Sequence, residues 1–448
     1  MTEHARPANN SSHNGSRRTF LKTSAAAVAA SAMAARTSLA SYEPFGEREI
    51  KVGVVGCGGR GTGAVSQIFN GAGPIRLVAM ADAFDYRLAS SYDRLTRAAK
   101  KIGDRVAVDV PQSRRYLGLD GYKKVMESDC DLVVLATPPG FRPDQFEAAV
   151  DAGKHVFMEK PVATDAPGIR KVLATGQKAA EKGLAVQVGL QRHHEPKYQE
   201  TIAKLHDGAI GDILLTKVYW NSGGLWVRNR RPDQTEMQYQ VDNWFYFFWT
   251  CGGQLVEQHI HNIDISNWVK QATPVTAQGQ GGREVRTSKA TGQIFDHHMV
   301  EFTYPDGSTM LSCCRHIDGA WGQVGEYATG SKGTADIGRG KIFDRDGNLV
   351  WRYRGKNVQG HQQEQLNLID ALRAGERPDE CEYGAMSTMT AIMGRMATTG
   401  GKMVKWEDAL NSDLALGPKQ LAWDAEAPVQ PDEDGRYPVP VPGKTVVI

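Results

Sequence analysis

The stretch EIKVGVVGCGGRGTGAVSQIFN, residues 49–70, decides the fold prediction. Ile50 to Val55 is a short apolar run rich in β-branched residues, which is typical of a buried parallel strand. Gly56, Gly58 and Gly61 follow in GxGxxG spacing, and TGAVSQIF after them predicts a helix. This order lets the backbone approach a dinucleotide pyrophosphate at the helix N-terminus. The stretch therefore predicts a Rossmann-type α/β domain.

The next apolar run, IRLVAMAD, ends in an acidic residue that supports the same reading. Asp82 lies 82 − 61 = 21 residues beyond the last glycine of the loop. That is the spacing of the carboxylate that binds the ribose hydroxyls of NAD. Since a carboxylate repels a 2′-phosphate, NAD is favoured over NADP. Arg60 and Arg87 leave NADP open, because either guanidinium could reach such a phosphate.

Two further strands place polar groups at the same edge of the predicted sheet. DLVVLATPPG ends with Thr137 and Pro138, which we expect beside the nicotinamide half of the cofactor. HVFMEKP ends with Glu159 and Lys160. Open parallel sheets bind ligands at the carboxyl ends of their strands, so these four residues are candidate cofactor contacts, with Lys160 also facing a substrate.

Bulk composition limits the function classes. The chain has 448 residues, enough for two domains, with 41% hydrophobic and 23% charged residues and a net charge of +2. This balance gives no electrostatic reason to expect a nucleic acid as partner. Six scattered cysteines include no CxxC pair, which argues against a disulfide framework or a zinc site.

The first forty residues resemble a targeting signal, and we exclude them from the predicted fold. SRRTFLK, residues 16–22, precedes the mildly hydrophobic run TSAAAVAASAMAA. Twin arginines before such a run look like a twin-arginine export signal. We therefore expect export by the twin-arginine machinery to the periplasm, with residues 1–40 removed as a signal peptide. A disordered basic leader is the alternative.

Beyond the glycine loop, several segments resemble the Gfo/Idh/MocA family of nicotinamide-dependent oxidoreductases that act on sugars. They are VGVVGCGGRG, VVLATPP, HVFMEKP, VQVGLQRHHEP, GAIGDI and CGGQLVEQHIHNID, in the family's order. The resemblance implies a Rossmann domain (48–165) and an α/β domain with a large, open, mostly antiparallel sheet (166–415). It also implies a homo-oligomer, dimer or tetramer. The proline-rich residues 416–448 predict an irregular surface arm.

The resemblance also implies a catalytic set. In the family, the lysine of the EKP motif meets an acid and a histidine from a glycine-led helix, here Lys160, Glu257 and His261. Positions 257 and 261 share one face if the helix is continuous. The chain has Glu257 where aspartate is common and His259 where glycine is common. His259 could therefore contact substrate, or be the base in place of His261.

Other side chains are candidate substrate contacts. Arg192 and His194 lie where the family places sugar-binding residues. The run DNWFYFFW reads first as core packing, with Trp244 or Tyr246 as an alternative stacking wall for a sugar ring. The histidine spacings match no compact ligand set, so we expect no metal.

Three functions are compatible with these residues. The first is an exported NAD-dependent oxidoreductase that interconverts a secondary alcohol of a sugar or cyclitol and a ketone. The second is a redox-neutral glycoside hydrolase or lyase, which oxidises a hydroxyl, eliminates an aglycone and returns the electrons to the product. The third is a non-catalytic sugar- or nucleotide-binding protein, against which Lys160, Glu257 and His261 argue.

Overall fold

A computed structural model describes residues 44–448, so the predicted export signal lies outside the described residues. The described chain forms two sheets with helices against them. The strands of the first sheet are β1 (Ile50–Val55), β2 (Ile75–Asp82), β3 (Val106–Val108), β4 (Arg115–Leu117), β5 (Leu132–Leu135), β6 (His155–Met158) and β7 (Val186–Val188). The helices connecting them are α1 (Gly59–Ile68), α2 (Asp85–Ile102), α3 (Gly121–Met126), α4 (Arg142–Asp151) and α5 (Ala166–Glu181).

The first sheet is parallel and has the order β3-β2-β1-β5-β6-β7, with β4 pairing to the end of β2. The order reverses between β1 and β5, which opens a crevice at the carboxyl ends of these two strands. The predicted Rossmann fold is confirmed. The sheet continues past residue 165, the predicted end of the domain, because β7 pairs with β6.

The second part of the chain contains the larger sheet. Its strands are β8 (Ile213–Ser222), β9 (Thr276–Gly282), β10 (His297–Thr303), β11 (Thr309–His316), β12 (Gln323–Gly330), β13 (Gly333–Asp336), β14 (Lys341–Asp344), β15 (Leu349–Arg352) and β16 (Val404–Lys405). Its helices are α6 (Pro196–His206), α7 (Glu236–Asp242), α8 (Phe248–Cys251), α9 (Gln254–Glu257), α10 (Ile260–Lys270), α11 (Gly360–Ala374), α12 (Cys381–Gly400) and α13 (Trp406–Leu410). Single 3₁₀ turns occur at 112–114, 139–141, 191–194, 244–246 and 289–291.

The second sheet has the order β15-β14-β13-β12-β8-β11-β10-β9-β16 and is open at both ends. Its pairs are antiparallel except β8 with β11, which confirms the predicted architecture. Alternate residues of β10 and β11 are buried, as expected for strands with one covered face. Helices α10 and α12 lie on that face, and α12 is buried over most of its length.

The C-terminal arm, residues 416–448, has no helix or strand but packs closely on the molecule. The ring of Tyr437 meets Phe247 edge-on with centroids 4.8 Å apart, and Trp423 packs against Phe84 at 5.7 Å. Within residues 44–448, every helix is too short or too polar to cross a membrane.

Candidate active site

A cavity of about 580 Å³ lies between the two domains and is lined by residues of both. Its first wall comes from the carboxyl ends of β1, β2, β5 and β6. Its second wall comes from the segment that follows β8 and from the helices around Glu257 and His261. This is the crevice that the strand order predicts, and its volume is typical of a ligand site.

The glycine loop leaves bare backbone at one end of the cavity. Gly56, Gly58 and Gly59 line it, and a Cβ on Gly59 would meet no atom within 4 Å. A Cβ on Gly56, whose φ is +95°, would lie 2.5 Å from the backbone of Ala136. The N-terminus of the ten-residue helix α1 therefore faces open space that a pyrophosphate can fill. These residues fit a dinucleotide.

The third glycine has a packing role. A Cβ on Gly61 would lie 1.8 Å from the carbonyl oxygen of Gly56, so no larger residue fits there. Gly61, the third glycine of the predicted cofactor-binding loop, is not among the cavity-lining residues. It lets α1 pack close to β1 and so positions the loop.

Asp82 ends β2 and lines the cavity beside the glycine loop. Its Oδ2 accepts a hydrogen bond from the Cys57 backbone nitrogen at 2.7 Å and its Oδ1 one from Phe84 nitrogen at 3.0 Å. Burial raises the pKa of Asp82, against these backbone donors. Each carboxylate oxygen keeps acceptor capacity for a ribose hydroxyl.

Arg60 and Arg87, the two arginines that could bind the 2′-phosphate of NADP, both form ion pairs with carboxylates. Arg60 Nε donates to Glu159 Oε1 at 2.7 Å, and Arg60 Nη2 lies 3.5 Å from Glu364. Arg87 Nη2 lies 3.6 Å from Asp242. Burial opposes ionisation of Glu159, but the neighbouring Arg60 and Lys160 charges hold its pKa below the usual value. Both arginines line the cavity with their charges partly neutralised.

Arg142, which the sequence did not single out, fixes the turns at the other end of the cavity. Its buried guanidinium donates to the carbonyl oxygens of Thr137 and Pro161. Thr137 also donates to Gln145 Oε1 at 2.6 Å, and both Thr137 and Pro138 line the cavity. The ends of β5 and β6 are thereby tied together behind Lys160.

Lys160 and Glu257 meet across the domain boundary. Lys160 Nζ donates to the backbone oxygen of Glu257 at 2.5 Å and lies 3.2 Å from its carboxylate Oε1. Among the described residues, Glu257 Oε2 has no hydrogen-bond partner. Burial raises the pKa of Glu257, although the Lys160 charge opposes this. Both residues line the cavity, and the carboxylate of Glu257 holds the ammonium of Lys160 at its edge.

His261 completes this end of the cavity. Burial and the nearby Lys160 and Arg192 charges hold the pKa of its imidazole well below the usual value. The ring stacks on Trp220 with centroids 5.9 Å apart, and its Nδ1 has no partner within the described part of the chain. A neutral imidazole near a lysine can accept a proton from a hydroxyl.

The expected single helix through Glu257 and His261 is wrong. The chain forms two helices, α9 and α10, broken at Gln258 and His259. Gly252 and Gly253 precede them with φ of +76° and +89°, values that favour glycine. Both Glu257 and His261 still line the cavity. Glu257 is the last residue of α9, and His261 lies in the first turn of α10.

His259 is not at the cavity, so its expected role as substrate contact or alternative base is corrected. The ring is fully buried, with Nε2 2.9 Å from Ser312 Oγ and Nδ1 3.3 Å from Asn262 Oδ1. Burial lowers the pKa of His259 to about 3. The imidazole joins α10 to the covered face of the second sheet.

The 3₁₀ turn 191–194 carries the two predicted substrate contacts Arg192 and His194, and only Arg192 lines the cavity. Arg192 lines the cavity, pairs with the buried Glu326 and donates to the His261 backbone oxygen at 2.8 Å. His194 points away, with its Nδ1 2.9 Å from Asn367 Nδ2 and its Nε2 3.2 Å from Glu380. Its expected contact with substrate is corrected.

In the aromatic run DNWFYFFW, residues 242–249, the two candidate residues also differ in whether they line the cavity. Trp244 lines the cavity, whereas Tyr246 is buried and donates its hydroxyl to the Leu225 backbone oxygen at 3.2 Å. Tyr246 belongs to the core, as the first interpretation of the run predicts, and does not form the alternative stacking wall. Trp220, Trp226 and His361 line the cavity without having been predicted, because they follow no motif.

No cluster of three or more potential metal ligands occurs within residues 44–448. The roles of Lys160, Glu257 and His261 stay predictions that their geometry supports.

Residues 50–190 match the Gfo/Idh/MocA oxidoreductase family, NAD-binding Rossmann fold. The chain is 24% identical over 253 residues to the scyllo-inositol 2-dehydrogenase (NAD(+)) of Bacillus subtilis, covering 55% of this chain and 64% of that protein. It is 33% identical over 169 residues to inositol 2-dehydrogenase 4 of Saccharopolyspora erythraea, covering 38% and 44%. The chain thus matches less than two thirds of these relatives' length.

The fold is also that of a solved structure. The chain superposes with a TM-score of 0.59 on scyllo-inositol dehydrogenase from Lactobacillus casei with bound cofactor NAD(H) and scyllo-inositol. The two are 20% identical, and the match covers 80% of this chain and 100% of that one. The family model that residues 50–190 match is that of an NAD-binding Rossmann fold, in agreement with NAD as the predicted cofactor.

Proposed function

We propose that the chain oxidises a secondary alcohol of a sugar or cyclitol, or reduces the ketone, and the match of residues 50–190 to the NAD-binding Gfo/Idh/MocA oxidoreductase model supports this. The observation that carries the proposal is the meeting of Lys160, Glu257 and His261 in the NAD cavity. Relatives named inositol dehydrogenases support the substrate class.

The residues divide the chemistry as follows. Lys160 donates a hydrogen bond to the reacting oxygen and stabilises its negative charge as the proton leaves. His261, neutral because of its lowered pKa, accepts that proton. Glu257 accepts a hydrogen bond from Lys160 Nζ at its Oε1, at 3.2 Å, and so holds that ammonium in position. NAD, when bound, supplies the two-electron acceptor for the carbinol carbon.

The cavity wall also suits a polyol ring. Trp220 and Trp244 offer aromatic faces, and Gln191 and Arg192 offer polar groups beside them. Sugar and cyclitol rings combine apolar faces with a rim of hydroxyls, which such a wall can match. The net charge of +2 gives no reason to prefer an acidic substrate.

The test is the absorbance of bound NADH near 340 nm while cyclitols, free sugars and aryl glycosides are added separately to purified protein. Lasting NADH formation with a cyclitol or free sugar supports the proposal. Aglycone release without lasting NADH, and its loss when NAD is removed, identifies the redox-neutral route instead. Absence of both from every compound contradicts the proposed activity.

We also propose export to the periplasm by the twin-arginine machinery and assembly into a dimer or tetramer. The motif SRRTFLK supports the first, and the half-exposed side chains of Tyr219, Leu311 and Cys313 on the open sheet face support the second. Replacing both Arg17 and Arg18 by lysine should leave the protein in the cytoplasm. Sedimentation of the wild-type protein measures its assembly, and a monomer at micromolar concentration contradicts that part.

A further inference from the structure

Helix α11 brings to the reacting end of the cavity a histidine that belongs to none of the predicted motifs. His361 lies in the first turn of α11 and lines the cavity together with Lys160 and Gln191. Its side chain is 31% exposed, so part of the imidazole is open to a ligand. The catalytic roles assigned to Lys160 and His261 leave this imidazole without a function.

The beginning of α11 is fixed by close contacts on two sides. A Cβ on the buried Gly360 would lie 2.9 Å from the side chain of Gln191, so the helix starts directly against that cavity-lining residue. On the other side, Gln362 Oε1 accepts a hydrogen bond at 2.8 Å from Asn70, which follows α1 of the first domain. His361 lies between Gly360 and Gln362, and its position in the cavity is therefore well determined.

The orientation of the His361 ring leaves one nitrogen for a ligand. Nδ1 lies 3.4 Å from Oε1 of Glu364, one helical turn further along α11. Glu364 is fully buried, and burial raises the pKa of its carboxyl well above the usual value. Because Nδ1 faces this buried group, the exposed part of the ring is the opposite edge, which carries Nε2. That nitrogen donates or accepts a hydrogen bond according to the tautomer of the ring.

The charges around His361 favour an uncharged partner. Burial and the cations Arg60 and Lys160 lower the pKa of the imidazole, against the carboxylates Glu159 and Glu195. The ring is therefore neutral near pH 7. Two cations and two carboxylates leave no excess charge that would attract a carboxylate or a phosphate. A hydroxyl, which both donates and accepts a hydrogen bond, matches a neutral imidazole.

We propose that His361 binds a hydroxyl of the substrate other than the one that reacts, and so selects polyols over simple secondary alcohols. This assignment rests on the proposed oxidation of a sugar or cyclitol. A site that hydrogen-bonds a hydroxyl rejects the analogue that lacks it, because the polar group of the protein is then left without a partner.

The first test is calorimetric titration of NADH-loaded, full-length protein with scyllo-inositol, myo-inositol and D-glucose. Binding is then measured without turnover, because the cofactor and the alcohol are both reduced. His361→Phe keeps a ring but removes both nitrogens, and it should weaken polyol binding about five- to tenfold, the usual loss for one hydrogen bond. His361→Gln, which keeps a donor and an acceptor, should recover most of this loss.

The second test separates binding from proton transfer. With the polyol that binds most tightly, His361→Phe should raise KM about five- to tenfold and leave kcat within about threefold of wild type, as expected for a group that does not touch the reacting oxygen. The ratio of kcat/KM for this polyol to that for cyclohexanol should fall by the same factor. A fall in kcat of about 10²-fold at unchanged KM would assign His361 to proton transfer and overturn the proposal.

The matched control is His206→Phe, at an exposed histidine that ends α6, and it should bind and oxidise polyols as the wild type does. The proposal is wrong if His361→Phe behaves like this control. If His361→Phe does not fold, His361→Ala decides by the same measurements. If the wild type binds no cyclitol or sugar at millimolar concentration, the proposed function fails and the role of His361 with it. Polyol oxidation that is indifferent to His361 contradicts the role of His361 alone.

Discussion

At the dinucleotide end of the cavity, the glycine loop and Asp82 come from two neighbouring strands of one sheet. At the reacting end, Lys160 and Glu257 are 97 residues apart in the chain and meet only because the two domains pack together. The first arrangement depends on local backbone geometry, whereas the second depends on the position of whole domains. The two ends should therefore respond differently to substitution.

The largest expected effect comes from a substitution at the reacting end, which should lower turnover without weakening NAD binding. Lys160→Ala should lower kcat by about 10³-fold, since it removes a charged donor from the developing negative charge. The affinity for NAD should change little, because the glycine loop and Asp82 are untouched. Stopped-flow absorbance at 340 nm and NAD titration measure the two quantities, with the surface substitution Lys178→Ala as control. A loss of NAD binding as large as the loss of turnover would contradict the division.

His261→Asn should lower kcat/KM by about 10²-fold, the usual contribution of a positioned base. Because burial and the Lys160 and Arg192 charges lower the pKa of His261, the wild-type imidazole stays neutral as pH falls through 6.5. The acidic limb of the kcat/KM profile should therefore lie below the ordinary value for histidine, about 6.5. A profile measured from pH 5 to 9 with half-maximal activity at or above 6.5 would exclude His261 as the base.

Asp82→Ala should have the smallest effect of the three and should act at the opposite end. It should weaken NAD binding about tenfold, through loss of a charged acceptor for the ribose hydroxyls. NADP should be affected less, because the carboxylate repels its 2′-phosphate. Isothermal titration with both dinucleotides compares them, with Asp93→Ala as a control on the surface of α2. Equal weakening of NAD and NADP would remove the basis for attributing the preference to Asp82.

The histidines show how far sequence reasoning reached. His261, His259 and His194 were all candidates, but only His261 lines the cavity. Helical spacing predicted that position 261 would face the site. His259 lies at the break between α9 and α10, and its side chain is buried in the core. His194 lies in a 3₁₀ turn whose direction no periodicity describes. Arg142 was missed because an arginine in the first turn of a helix is ordinary in sequence.

The sequence by itself determined the elements whose reasons are local. β-Branched runs specify buried strands, glycine is required where φ is positive or a Cβ has no room, and an acid after the second strand completes the NAD motif. Only the tertiary structure decided the second wall of the cavity, the pairing of Lys160 with Glu257 and the packing of the C-terminal arm on Phe84. Such contacts join residues far apart in the chain, and no local pattern encodes which distant surface a side chain will meet once apolar burial has packed the domains.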